Sequence, residues 1–156
     1  MENVRRIASF SVDHDFITPG IYVSRIDGDI TTYDMRTRRP NCEDYMDNLT
    51  MHSLEHMFAT YIRNSSIGAD VIYFGPMGCR TGFYLLLKGD RTSREVLPLV
   101  LACFRFIAEF AGEVPGASAK DCGNYLDMNL PMANYWGKKY TELLENIGSD
   151  RLVYPE

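Results

Sequence analysis

The chain has 156 residues, 46% hydrophobic and 24% charged, with a formal net charge of −5; that length buries a real core and suits one domain spanning 1–156. The acidic balance argues against nucleic acid as the main partner, because no basic run offsets it: Lys138-Lys139 is the only adjacent lysine pair, and Arg36, Arg38 and Arg39 form a short local cluster. Met1 to Asp13 lacks a signal-peptide run and no segment reaches transmembrane length, so a cytoplasmic, reducing setting without a membrane partner is expected.

Residues 21–36 read as a hairpin. Ile21-Tyr22-Val23 and Ile30-Thr31-Thr32-Tyr33 are β-branched and aromatic, Asp27-Gly28 between them is a turn signal, and Arg38-Arg39-Pro40-Asn41 ends the second strand. A helix is expected from somewhere in 43–51 to about Asn64, because Leu54, Met57, Phe58, Tyr61 and Ile62 fall on an i, i+3, i+4, i+7, i+8 stripe. Ser65, Ser66 and Gly68 close it. Val71 to Phe74 and Phe83 to Leu87 are apolar strands interrupted by a glycine-rich bend from Gly75 to Gly82, and Gly89-Asp90 ends the second.

Thr92-x-x-Glu95 is a capping-box pattern for a long helix reaching about Phe110, with Pro98 as an alternative start. Gly112, Pro115 and Gly116 mark a loop, and Ser118 to Cys122 a short helical turn stopped by Gly123. The last helix runs from Pro131 to about Asn146, with Trp136, Tyr140, Leu143 and Leu144 inward. Strands, helix, strands, then helices, without regular βα alternation, predict an α+β fold: a largely antiparallel β-sheet packed against helices in two layers.

The most informative segment is His52-Ser53-Leu54-Glu55-His56, which holds two of the three histidines. On a helix both imidazoles leave one face, almost opposite the apolar stripe, so a cleft wall or a partner subunit must shelter whatever they bind. Two neutral imidazoles at this spacing suit a transition metal, and Glu55 places a proton-transfer group beside it. A catalytic site needs a third ligand. Of the four cysteines (Cys42, Cys79, Cys103, Cys122), none forms a CxxC pair, which favours free thiols, ligands or a nucleophile over disulfides. Cys122 is the best candidate ligand, since it sits beside Gly123, where backbone can approach closely, and a His2Cys set leaves one position open.

Cys79 lies in Gly78-Cys79-Arg80-Thr81-Gly82, where flanking glycines allow a sharp bend that exposes the side chain and Arg80 favours the thiolate. Its alternative reading is a buried cysteine in a tight turn, while Cys42 and Cys103 read as structural. Arg36, beside Asp34 at a strand end, is either an ordinary charge or a group for an anionic or hydroxyl-rich ligand, and His14 reads as a turn histidine.

Taken together, several separated segments resemble the S-ribosylhomocysteine lyase family, which makes the precursor of autoinducer-2. They are Ser9-Phe10-Ser11-Val12-Asp13-His14, Tyr33-Asp34-Met35-Arg36 with Pro40-Asn41, His52 to His56, Gly75-Pro76-Met77-Gly78-Cys79-Arg80-Thr81-Gly82-Phe83-Tyr84, and Asp121-Cys122-Gly123-Asn124-Tyr125. The resemblance implies one ion per subunit, ferrous with zinc or cobalt as alternatives, on His52, His56 and Cys122. It implies Glu55 and Cys79 as the acid–base pair. It implies sugar contacts from Ser9, His14, Arg36 and Gly123, and a homodimer with active sites at the interface. The family often carries an acidic residue six positions before the equivalent of Cys79; here that position is Tyr73.

The implied reaction cleaves S-ribosylhomocysteine to homocysteine and 4,5-dihydroxy-2,3-pentanedione by carbonyl migration and β-elimination. The rival is a zinc metallopeptidase in which Glu55 activates water. It needs a downstream acidic ligand and predicts a metal that survives loss of Cys122. A structural four-ligand metal domain is a second rival, with only three convincing ligands in the sequence.

Overall fold

The structure, a computed structural model, describes residues 5–42 and 44–155. Positions 1–4 of the N-terminal stretch, and position 43 at the edge of the expected helix start, lie outside the described residues. The β-branched runs form two hairpins. β1 (Gly20–Asp27) and β2 (Ile30–Arg36) pair antiparallel around Gly28, whose φ of 62 is the left-handed conformation glycine tolerates. β3 (Val71–Pro76) and β4 (Gly82–Lys88) form the second hairpin, and β4 also pairs antiparallel with β2, giving the order β1-β2-β4-β3.

Strand alternation sorts the two faces of this sheet. Tyr33 and Met35, opposite Leu85 and Phe83, join Ile21, Phe74 and Leu87 in the core beneath the helices. Asp34, Arg36 and Tyr84 take the opposite face by the same alternation.

Three helices cover the apolar face. α1 (Asn48–Arg63) starts where Asp47 Oδ1 accepts from the Thr50 N–H at 2.8 Å. Leu54, Met57, Phe58 and Ile62 are fully buried, as the stripe predicted. Tyr61 is half-buried, against Phe106. The Phe58 ring lies between Phe74 and Phe104, with centroids 4.0 and 5.5 Å away.

α2 (Ser93–Glu109) carries the complete Thr92–Glu95 capping box, so Pro98 lies inside the helix and does not start it. Against it packs α3 (Leu130–Glu145), whose buried face is Ala133, Gly137, Tyr140, Thr141 and Leu144; Trp136 and Leu143 are only half-buried. A Cβ at Gly137 would lie 2.9 Å from Ile107 Cγ2, so glycine permits the close approach of α2 and α3. Ser118 to Cys122 is one hydrogen-bonded turn, closed by the Cys122 N–H to Ser118 O bond at 3.0 Å, and not a helix. The result is the α+β arrangement expected, a four-stranded antiparallel sheet under helices. Among the described residues, no helix is long and apolar enough to cross a membrane.

Candidate active site

His52 and His56 project from α1 away from its buried stripe, toward the loop between α2 and α3. That loop supplies the wall. His52 Nδ1 lies 2.9 Å from the Asp127 carbonyl and His56 Nδ1 lies 2.8 Å from the Pro115 carbonyl. A carbonyl only accepts, so both Nδ1 atoms carry hydrogen and both Nε2 atoms present a lone pair. The two rings meet edge to face, 4.7 Å between centroids.

Cys122 Sγ lies 3.5 Å from His52 Nε2, and the ligand atoms of His52, His56 and Cys122 all fall within 4.8 Å of one another. An ion held tetrahedrally by N and S would place those two atoms roughly 3.5 Å apart. The donor set and spacing therefore fit a transition-metal ion with one position left open, and among the described residues no carboxylate belongs to the group.

Several residues that periodicity does not single out hold this geometry. Gly116 has φ +72, and a Cβ there would sit 3.3 Å from His56 Nδ1. Glycine thus lets the Pro115 carbonyl reach the ring. Ser53, inside the histidine motif, donates to Leu49 O and accepts from the Asn129 N–H, both at 2.8 Å, pinning the far end of the loop to α1. The Asp127 carboxylate lies 3.3 Å from His52 Nδ1. Cys122 Sγ also lies 3.5 Å from the Asn124 N–H. Glycine punctuation marked this loop in the sequence; the serine beside His52 was the overlooked signal.

Cys79 belongs to a different cluster at the sheet's edge. It is exposed, and its bend is built differently from the sequence expectation. The left-handed residue is Arg80, φ 62, and neither flanking glycine has positive φ. Gly82 is needed for another reason: a Cβ there would meet Met35 O at 2.5 Å. Cys79 Sγ is 3.0 Å from Thr81 Oγ1, which accepts from Arg36 Nη1 at 2.7 Å. Arg36 is buried, and it also grips the Asp34 carboxylate with Nε and Nη2, at 3.1 and 2.6 Å. Burial opposes the Arg36 charge, but Asp34 outweighs it and holds the guanidinium more firmly protonated than usual.

Hydrogen bonds from Thr50 hold the Asp47 carboxyl below its usual range, and the charge of Arg80 adds to this. Glu55 is half-buried on α1 and makes no hydrogen bond or ion pair among the described residues. Ser9 is exposed and borders a recess of about 390 Å³ with Ser24, Thr32, Tyr73 and Tyr84. His14 is half-buried with Nδ1 2.9 Å from Val12 O, in a separate recess with Asp13 and Arg6. Gly123 has open space where a side chain would be. The structure thus gathers His52, His56 and Cys122, with Gly123 beside them, and joins Arg36 to Cys79; Ser9 and His14 stand apart from both groups.

The sequence profile of the S-ribosylhomocysteinase (LuxS) family matches residues 7–150. An S-ribosylhomocysteine lyase of Clostridium acetobutylicum is 58% identical over 98% of this chain and 100% of its own length. Another, of Clostridium beijerinckii, is 54% identical over 97% and 99%. One of Borreliella burgdorferi is 45% identical over 97% and 100%. The chain belongs to the S-ribosylhomocysteinase (LuxS) family.

Proposed function

We propose that the chain, a carbon–sulfur lyase, cleaves the thioether of S-ribosylhomocysteine to homocysteine and 4,5-dihydroxy-2,3-pentanedione. The observation that carries this reading is the pair of imidazoles tethered at Nδ1 to loop carbonyls, with both Nε2 lone pairs beside Cys122 Sγ. One ion per chain, Fe2+ with Zn2+ or Co2+ as alternatives, would be held by these three side chains and would supply Lewis acidity toward the sugar's oxygens.

The substrate's chemistry dictates the rest. Sulfur on C5 leaves only when a carbanion forms on C4, and that needs a carbonyl at C3. Opening the ribose puts the carbonyl at C1. Two proton transfers, from C2 to C1 and from C3 to C2, move it to C3. Loss of the C4 proton then expels the sulfur with its bonding electrons; protonation gives the free thiol, and the C4–C5 enol left behind takes a proton on C5 as its hydroxyl loses one, giving the dione. Cys79 and Glu55 are the proposed proton carriers, working from different faces of the carbon chain. Ser9, His14, Arg36 and Gly123 are proposed to surround the sugar, with Arg36 acting from its buried pair.

The catalytic unit is proposed to be the single domain 1–156, cytoplasmic, in a homodimer whose interface completes the site. Ile7, Phe10 and Phe16 near the N-terminus and Ile72 and Tyr73 on β3 are large side chains left exposed, which supports a partner surface. The test is homocysteine release, read with a thiol reagent after anaerobic metal loading. Stoichiometric release supports the reading, and none from fully loaded protein refutes it.

A further inference from the structure

We propose that Thr81 and Tyr154 are positioning residues for Cys79, the two ends of a relay running Tyr154–Asp34–Arg36–Thr81 that fixes the Cys79 sulfur as a hydrogen-bond acceptor. The inference rests on the reading above that Cys79 carries protons. A guanidinium only donates, so Thr81 Oγ1, 2.7 Å from Arg36 Nη1, accepts there. Its single hydrogen is free for Cys79 Sγ, 3.0 Å away, and a thiolate there can only accept it.

Arg36 cannot swing aside, because two more of its nitrogens hold Asp34. Asp34 in turn accepts from Tyr154 Oη at 2.8 Å. Asp34, Arg36 and Thr81 are 1, 3 and 3% exposed, so water competes little for these bonds. The Tyr154 ring stacks on Tyr22 at 4.8 Å, which lays the C-terminal residues against β1. Burial, then the charge of Asp34, pushes the Tyr154 phenol far up, so it remains a donor. The titratable groups that interact with Cys79 are Arg36 on β2 and Tyr84 on β4; Arg36 in turn interacts with Asp34 and Tyr154, and Arg80 in the bend with Asp47. Among the described residues, Thr81 is the group that bonds the sulfur. A sulfur held as acceptor is presented to take hydrogen from carbon.

The test uses the full, metal-loaded protein and two readouts. Iodoacetamide alkylation of Cys79 is followed by peptide mass mapping, which separates it from Cys42 and Cys122. Steady-state kcat and KM are measured with S-ribosylhomocysteine. Thr81→Val slows alkylation and lowers kcat by about tenfold with KM little changed, because a hydrogen bond to an ionisable group is lost. Thr81→Ser, which keeps the hydroxyl, recovers most of both. Tyr154→Phe keeps the stack and lowers both severalfold. Wild-type alkylation in Thr81→Val, or in Tyr154→Phe, overturns the relay, as does a Thr81→Ser variant as slow as Thr81→Val. Should Thr81→Val not fold, Thr81→Ala against Thr81→Ser makes the same comparison. Alkylation needs no substrate, so absent homocysteine release fails the lyase reading while the alkylation rates still decide the relay.

Discussion

Gly116→Ala is the sharpest probe of how the loop aims His56. The residue sits at φ +72, and an added Cβ would lie 3.3 Å from His56 Nδ1. Left-handed backbone costs a non-glycine residue about 1–2 kcal/mol. The contact also forces the Pro115 carbonyl and the imidazole apart by some tenths of an ångström, loosening a 2.8 Å hydrogen bond. Losing the partner that orients a ligating histidine costs roughly 10–100-fold in metal affinity. Gly112→Ala is the control, since its φ is +112 but nothing lies within 4 Å of the added Cβ. Both variants should melt lower than wild type, and only Gly116→Ala should lose affinity when ion occupancy is titrated against a metal-buffering chelator. Equal affinities in the two variants would refute the claim that Pro115 positions His56.

Phe58→Ala should lower stability by about 3–5 kcal/mol in urea unfolding, because the emptied space between Phe74 and Phe104 cannot fully collapse; a loss near that of a surface change would contradict the packing. Asp34→Asn strands the Arg36 charge in the interior and should cost about 3–5 kcal/mol; a small effect would mean that Arg36 reaches solvent. Burial, with smaller contributions from Asp34, raises Tyr140 and Tyr154 above the ordinary value of 10.0. The folded chain therefore keeps phenol protons that the unfolded chain releases, so stability is full below pH 10 and falls as pH rises further. Guanidinium unfolding at increasing alkaline pH checks this, and a stability that stays level well beyond that point would contradict it.

The elements set by local periodicity were legible in the sequence. The stripe Leu54, Met57, Phe58 and Ile62 gave α1 and the face bearing His52 and His56, and the Thr92–Glu95 box gave the start of α2 despite Pro98. The meeting of Cys122 with His52 could not come from periodicity. It depends on a loop held by carbonyl contacts, the Gly116 conformation and the Ser53–Asn129 bond, none of which has a repeating pattern. The neighbouring Gly123 and the suitability of a thiolate beside imidazoles had marked Cys122 as a candidate ligand, and the family resemblance implied the same residue. The burial of Arg36 was illegible for a related reason: a strand-end arginine is ordinarily solvated, and what encloses this one includes a tyrosine 118 positions later. The bend at Cys79 read as glycine-driven, whereas Arg80 takes the left-handed turn and Gly82 answers a steric demand from β2.

Whether His52, His56 and Cys122 hold an ion together is decided by the metal content of the purified chain and of Cys122→Ala after loading and chelator-buffered dialysis. One divalent ion per wild-type chain is expected, and little or none in Cys122→Ala. Full occupancy in the variant would contradict it.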